Sequence, residues 1–234
     1  MVSILNAHSK IIIGQERYKD LIKDHVSEIT PALFTKSRFF DFRERDTNLL
    51  PTRIKHVDKL YNELEEKFEN DDLAVVGDKI PFLYRRYQEV AGSIPNVKFI
   101  FLVRDLRAVA DSYRRRCDDP NDSWKRNVNS AISDWTEAMQ ATAACHENEL
   151  TAAKLLVVGY EDFYSGEIQE LQRVLQFLNL SLDKSVVDRY RAMTTDWECR
   201  RDQVTGLSEE EIAATLEAMK AHRSNIDSLK KRYR

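Results

Sequence analysis

Glycine and proline are scarce in this chain, with 6 and 5 among its 234 residues. With so little turn punctuation, helices should dominate. Cysteine is scarcer still. Cys117, Cys145 and Cys199 are odd in number and widely spaced, with no Cys-x-x-Cys pair and no Cys/His cluster. That pattern argues against zinc and a disulfide framework, and for reduced thiols in a reducing compartment. Long hydrophobic runs are missing too. A run such as Phe99-Ile100-Phe101-Leu102-Val103 falls far short of the ~18 residues a membrane span needs, so no membrane partner is expected. The opening Met1-Val2-Ser3-Ile4-Leu5 has no basic stretch and no cleavage site, and a cytoplasmic location is the expectation. Nor is there an excess of one charge. Lys and Arg number 36 against 39 Asp and Glu, a net −3, which speaks against a general nucleic-acid binder.

What is present suits a globular protein: 42% hydrophobic residues, 32% charged residues and a mean hydropathy of −0.53. One domain over 1–234 is expected, large enough to bury roughly 70–75% of its unfolded surface without a staple. Short apolar runs lie at Ile11–Ile13, Leu73–Val76, Val97–Val103 and Leu155–Val158. None alternates with polar residues, so they read as strands buried on both faces, as in a parallel sheet. Between them runs helical periodicity: Leu106, Val109, Ala110 and Tyr113; then Trp124 through Met139; then Ile168, Leu171, Leu175 and Leu178. Ser208-Glu209-Glu210-Glu211 has the form of a capping box before a last helix. Strands alternating with helices predict an α/β fold, whose chemistry gathers at the carboxyl ends of the strands.

Those ends offer a short set of candidates. Arg104 follows the third strand at a helix start, where free N–H groups and a bidentate side chain suit a phosphate. Ser112 is eight residues on, and at 100° per residue it returns to within about 80° of the same face. The plainer reading is that Arg104 pairs with a carboxylate and Ser112 is incidental. Lys79 lies in the Gly77-Asp78-Lys79-Ile80-Pro81 loop, open to a leaving-group oxygen, or it is a solvated lysine. Glu16, after the first strand, is a general base or simply an acid at a helix start. Tyr160, after the fourth, faces a nucleotide base or packs in the core.

Taken in order, four segments resemble the sulfotransferases that use 3′-phosphoadenosine 5′-phosphosulfate, most closely the branch of tyrosylprotein sulfotransferases and bacterial sulfotransferases. They are Ser3–Glu16, Gly77–Pro81, Val97–Ser112, and Val158–Phe163 with the helix end at Leu175–Leu178. Their order and spacing favour the functional readings of Arg104 and Lys79. The resemblance spans residues 1 to about 180, leaving 181–234 as a helical C-terminal part with a weak match. It implies a P-loop-like parallel sheet flanked by helices. It also implies roles: Arg104 and Ser112 on the 3′-phosphate, Tyr160 near the adenine, Lys79 on the bridging oxygen, and Glu16 as the base that takes the acceptor's proton. The acceptor is a hydroxyl on a small molecule, carbohydrate or peptide, and no metal ion is implied.

One departure stands out. The family opens with a strand and an Arg-Ser-Gly-Thr-Thr type of loop that cradles the 5′-phosphosulfate, and 1–234 contains neither. Losing about three charged hydrogen bonds costs ~4–9 kcal/mol, or ~10³–10⁶ in affinity. Two expectations follow: a longer native chain that is a sulfotransferase, or a sulfotransferase-like interaction module without catalysis. A nucleotide kinase fits poorly, since Gly-Lys-Ser/Thr is absent. The Lys-, Arg-, Asp- and aromatic-rich stretch 14–72 is expected on the acceptor side. Trp197 to Arg201 either places an Arg on the 3′-phosphate or makes surface ion pairs. Arg114-Arg115-Arg116 and Lys230-Lys231-Arg232 read as solvated faces or as a patch that steers an anion.

Overall fold

The computed structural model describes residues 1–69, 72–198 and 206–231. Its contacts divide the chain into two compact units, Met1–Val97 with Leu178–Arg191 and Lys98–Phe177 with Ala192–Arg234. Four strands form two parallel pairs: β1 (Ile11–Gln15) with β2 (Val75–Lys79), and β3 (Phe99–Val103) with β4 (Leu155–Gly159). Parallel pairing is what the continuous apolar runs predict. The burial is uneven: β4 is buried throughout, whereas β2 is half-exposed. Among the described residues each strand has a single strand neighbour, which leaves one edge of each strand without a ladder.

In the first unit, helix α1 (Val2–Leu5) leads into β1, and the long crossover to β2 holds α2 (Lys19–Asp24), α3 (Lys36–Phe39) and α4 (Lys55–Phe68). The side chain of Asn6, at the end of α1, stands in for a strand: it donates to Ile13 O and accepts from Ile13 N at 2.9 and 2.7 Å. Helix α4 buries Val57, Tyr61 and Leu64, a stripe at helical spacing worth about 1.5–3 kcal/mol per side chain. Near its C-terminal end Lys67 donates to the carbonyls of Asn6, His8 and Ile11. Burial pulls that ammonium down to about 8. After β2 the chain turns through Phe82, at φ 60°, into a 3₁₀ turn and α5 (Tyr87–Ser93). Pro81 lies in this turn, ahead of the 3₁₀ segment.

A buried cation organises the crossover. Arg17 is fully buried between the rings of Tyr18 (4.5 Å) and Phe42 (4.1 Å). It pairs with the equally buried Asp46 at 2.8 Å and donates to the carbonyls of Phe39 and Asp41. Arg38 meets Asp46 from the other side at 2.7 Å. Each charge is matched and hydrogen-bonded, which is what makes burial tolerable.

In the second unit β3 feeds α6 (Leu106–Asp118) and α7 (Val128–Glu147) before β4. Asp105 caps α6 through the Arg107 amide, and Asn127 caps α7 through the Ser130 amide. That second cap starts the helix later than the Trp124 stripe implies. Trp124 instead packs edge-on against Tyr113 at 4.4 Å. Ala110, Val128 and Ala131 form a small core under Val109, Tyr113, Ile132 and Leu207. Helices α8 (Tyr160–Tyr164), α9 (Ile168–Phe177), α10 (Lys184–Glu198) and α11 (Glu209–Lys231) complete the chain. The expected capping box opens α11: Ser208 N donates to Glu211 Oε2, and Glu211 N donates to Ser208 Oγ. Cys117 and Cys145 are free thiols, while Cys199 lies outside the described residues. Among the described residues no helix is long and apolar enough to cross a membrane.

Asp46→Ala should lower unfolding stability by about 3–5 kcal/mol, because it strands the Arg17 charge in the interior. Urea denaturation measures it, and a loss under 1 kcal/mol, the usual worth of an exposed pair, would show that Arg17 does not depend on Asp46.

Candidate active site

Strand register builds the first cluster. Gln15 aligns with Lys79 and Gly14 with Asp78. Glu16 is therefore one residue beyond the paired ends, and Lys79 is the last residue of β2, not a loop residue as its sequence context suggests. Lys79 Nζ donates to Glu16 Oε1 at 3.0 Å, and Lys19 Nζ approaches Oε2 at 3.4 Å. The Glu16 side chain is 18% exposed and the Lys79 side chain 46%. The structure thus brings together Glu16 and Lys79, two of the residues that the sequence singles out. Glu16 itself belongs to no helix and has φ 55°, two residues ahead of the Tyr18 cap of α2.

Asp78 lies directly behind this pair. Its Oδ2 accepts the Tyr18 amide at 2.9 Å, while Oδ1 is closed off from solvent and has no hydrogen-bond partner. The residue as a whole keeps some exposure, so the enclosure concerns the carboxylate end. Burial pushes its carboxyl up to about 7, against the pull of the Arg17 and Tyr18 amides and of the Arg17 charge. Gly14 makes the room: a Cβ there would sit 2.7 Å from Tyr61 Oη and 3.1 Å from Asp78 Oδ1. Tyr61 Oη in turn accepts the Gln15 amide at 3.0 Å. Sequence reasoning passed over Asp78, Tyr61 and Lys19. The available signal was an acid inside a strand end beside Lys79, where a strand favours apolar residues.

The second cluster has the same origin. Val103 aligns with Gly159, so Arg104 and Tyr160 each follow directly on the paired ends. The Arg104 guanidinium lies over the Tyr160 ring at 4.6 Å. The ring is held by Tyr164 at 4.7 Å and Trp197 at 6.3 Å. The Arg104 carbonyl accepts from Trp135 Nε1 at 3.0 Å, fixing the backbone. Among the described residues no carboxylate pairs with Arg104, contrary to the plainer reading of its sequence. The Arg114-Arg115-Arg116 run differs: its members pair with Glu211, Asp111 and Asp122. Ser112 is half-buried two turns along α6 and shares no hydrogen bond with Arg104 among the described residues. Its neighbour Asp111 accepts the Gly206 amide at 2.9 Å. Arg200 and Arg201 lie outside the described residues, as does Arg232.

Residues 1–184 match the family model described as the sulfotransferase family. The chain belongs to the sulfotransferase family. A sulfotransferase domain from the curacin biosynthetic pathway is similar at 15% identity and a TM-score of 0.50, over 93% of this chain and 90% of that one. A sulfotransferase domain from the Synechococcus PCC 7002 olefin synthase aligns at 15% identity, over 88% of this chain and 92% of its own, with a TM-score of 0.43. No curated protein matches. The curacin likeness shows the fold, the P-loop-like α/β arrangement of sulfotransferase domains. The family match ends close to where the sequence resemblance fades. The family implies a transferase that moves a sulfuryl group.

The raised Asp78 carboxyl makes stability depend on pH. The folded chain keeps a proton that the unfolded chain releases from its ordinary value of 3.8 upward. That contribution is full below the unfolded value and is lost as the pH rises through about 7. Asp78→Asn cannot ionise, so the gap between its urea midpoint and the wild-type one should widen in its favour across this window. A constant gap would show that Asp78 titrates as an ordinary carboxylate.

Proposed function

We propose that this sulfotransferase-family chain moves a sulfuryl group from 3′-phosphoadenosine 5′-phosphosulfate to an acceptor hydroxyl, with residues 1–234 working as one domain. The observation that carries the reading is Arg104: a guanidinium at a strand end, backed by an aromatic ring, with no carboxylate pairing with it among the described residues. Such a cation is available to a phosphate. Arg104 and Ser112 are assigned to the 3′-phosphate and Tyr160 to the side of the adenine. Family membership supports this assignment.

The donor supplies an activated sulfuryl group. Glu16 takes the proton from the acceptor hydroxyl as the new oxygen–sulfur bond forms. Lys79 stabilises the charge left on the phosphate oxygen when the old sulfur–oxygen bond breaks. An ammonium has three donors, and only one is engaged by Glu16 Oε1, so Lys79 can serve a second oxygen without releasing the base. Its exposed side chain keeps that second direction open. Positioning and charge stabilisation then supply most of the rate, as in phosphoryl transfer. The acceptor is a small molecule, carbohydrate or peptide.

Calorimetric titration with 3′-phosphoadenosine 5′-phosphate tests the donor assignment. Arg104→Ala should weaken binding by about 10–150-fold, the worth of one charged hydrogen bond of ~1.5–3 kcal/mol. Equal affinity in the mutant, or no binding by the folded wild type, would overturn the reading. Glu16→Gln should abolish turnover on a panel of a phenol, a monosaccharide and a tyrosine-bearing peptide while leaving nucleotide binding intact. Full turnover in that variant would remove Glu16 as the base.

A further inference from the structure

We propose that Asp78 is a positioning residue for the Glu16 base: its carboxylate holds the turn that keeps Glu16 against Lys79. The inference rests on the reading above, in which Glu16 takes the acceptor's proton.

Glu16 has φ 55°, in the left-handed region that side-chain-bearing residues rarely adopt. A residue stays there only if its surroundings over-determine it. Three amides around it are each captured from a different source. Gln15 N–H donates to Tyr61 Oη at 3.0 Å, Glu16 N–H to the Lys79 carbonyl at 2.8 Å, and Tyr18 N–H to Asp78 Oδ2 at 2.9 Å. The first comes from helix α4 and the second continues the β1–β2 ladder. The third is a side chain from the strand that also carries Lys79. Asp78 therefore couples the position of the base to the position of the cation.

Two details separate this from ordinary packing. A buried polar atom normally finds a partner, yet Asp78 Oδ1 has none. Arg17, whose charge acts on Asp78, has its guanidinium committed to Asp46 and to main-chain carbonyls. The groups facing Asp78 are thus Arg17, Tyr18 and Glu16 from the turn and Tyr61 from α4, and none satisfies Oδ1. The site also keeps space for this carboxylate at the expense of a side chain on β1, since a Cβ on Gly14 would crowd Oδ1 at 3.1 Å. A buried carboxylate with one oxygen bonded to the turn that carries the base and the other without a hydrogen-bond partner, in space that Gly14 leaves open, is costly for stability and useful for geometry.

The test compares the wild type with Asp78→Ala, Asp78→Ser and Asp78→Asn, using 3′-phosphoadenosine 5′-phosphosulfate and the acceptor panel above. Neither alanine nor serine reaches the Tyr18 amide, so kcat should fall about 10²-fold, the usual cost of a misplaced reacting group, with the donor KM unchanged. Asparagine keeps an acceptor oxygen in place and should restore most of kcat. Hydrogen exchange supplies an arm that needs no acceptor: in Asp78→Ala the amides of 15–18 should exchange faster while the rest of β1 and β2 keeps its protection. An unchanged kcat overturns the proposal, and so does unchanged exchange at 15–18. Loss of folding in both short variants, read by circular dichroism, also overturns it, because Asp78 would then hold the unit together and not one turn. A wild type that turns over none of the panel counts against the sulfotransferase reading itself, and the exchange arm still decides whether Asp78 holds the turn.

Discussion

Both clusters depend on parallel strands that end in step. A parallel ladder fixes which residues lie opposite one another, and a slip of one residue turns every side chain to the other face. Gln15 opposite Lys79 brings Glu16 to the ammonium, and Val103 opposite Gly159 brings Arg104 to the Tyr160 ring. The charged groups themselves are not what sets the register. Apolar residues do that: Ile11 and Ile12 against Val75 and Val76, and Phe99 to Leu102 against Leu155 to Val158. The candidate residues therefore sit just past the point where apolar pairing stops.

Ending a ladder at that point leaves backbone amides to be satisfied, and the first unit meets this demand with side chains. Tyr61 takes the Gln15 amide, Asp78 takes the Tyr18 amide, and Asn6 takes both polar groups of Ile13. The same region buries Arg17 with Asp46 and Arg38. Buried ionic groups seldom add net stability compared with apolar substitutes, but breaking one is expensive. Their effect here is to leave the crossover after Glu16 few alternative packings. The turn then has its geometry set from both sides, by the Arg17 cage and by the β2 strand end.

The strands and most helices were legible because periodicity is a local property. The runs at 11–13, 97–103 and 155–158 became strands, and the Ser208–Glu211 capping box opened a helix as written. Errors came where a nonlocal partner decided. Lys79 reads as a loop residue until Gln15 is seen opposite it, which extends β2 through Gly77 and Asp78. The Trp124 stripe reads as helix until the Asn127 cap and the Tyr113 ring are seen. Glu16, Lys79, Arg104 and Tyr160 stand out in the sequence because chemistry in an α/β fold gathers at strand ends. Asp78 and Tyr61 do not, since their contacts are with residues 60 and 46 positions away and spacing carries no trace of them, whereas Lys19 sits only three residues from Glu16.

The two clusters treat charge in opposite ways, and the contrast bears on what each can do. Glu16 is flanked by two cations, Lys79 and Lys19, which meet its two carboxylate oxygens. Arg104 has a ring where the arginines of α6 have carboxylates. A cation over an aromatic face gains about 0.5–1 kcal/mol at an exposed site, enough to fix the guanidinium plane. A phosphate meeting that plane gains ~1.5–3 kcal/mol per charged hydrogen bond and displaces nothing, because the ring uses a face and the phosphate uses the N–H edge. Had a carboxylate held Arg104, an incoming phosphate would have to compete with it, and most of that gain would be cancelled. The difference between Arg104 and the arginines of α6 therefore lies in the partner each was given: a partner of opposite charge makes a structural arginine, and a neutral ring leaves one ready for an anion.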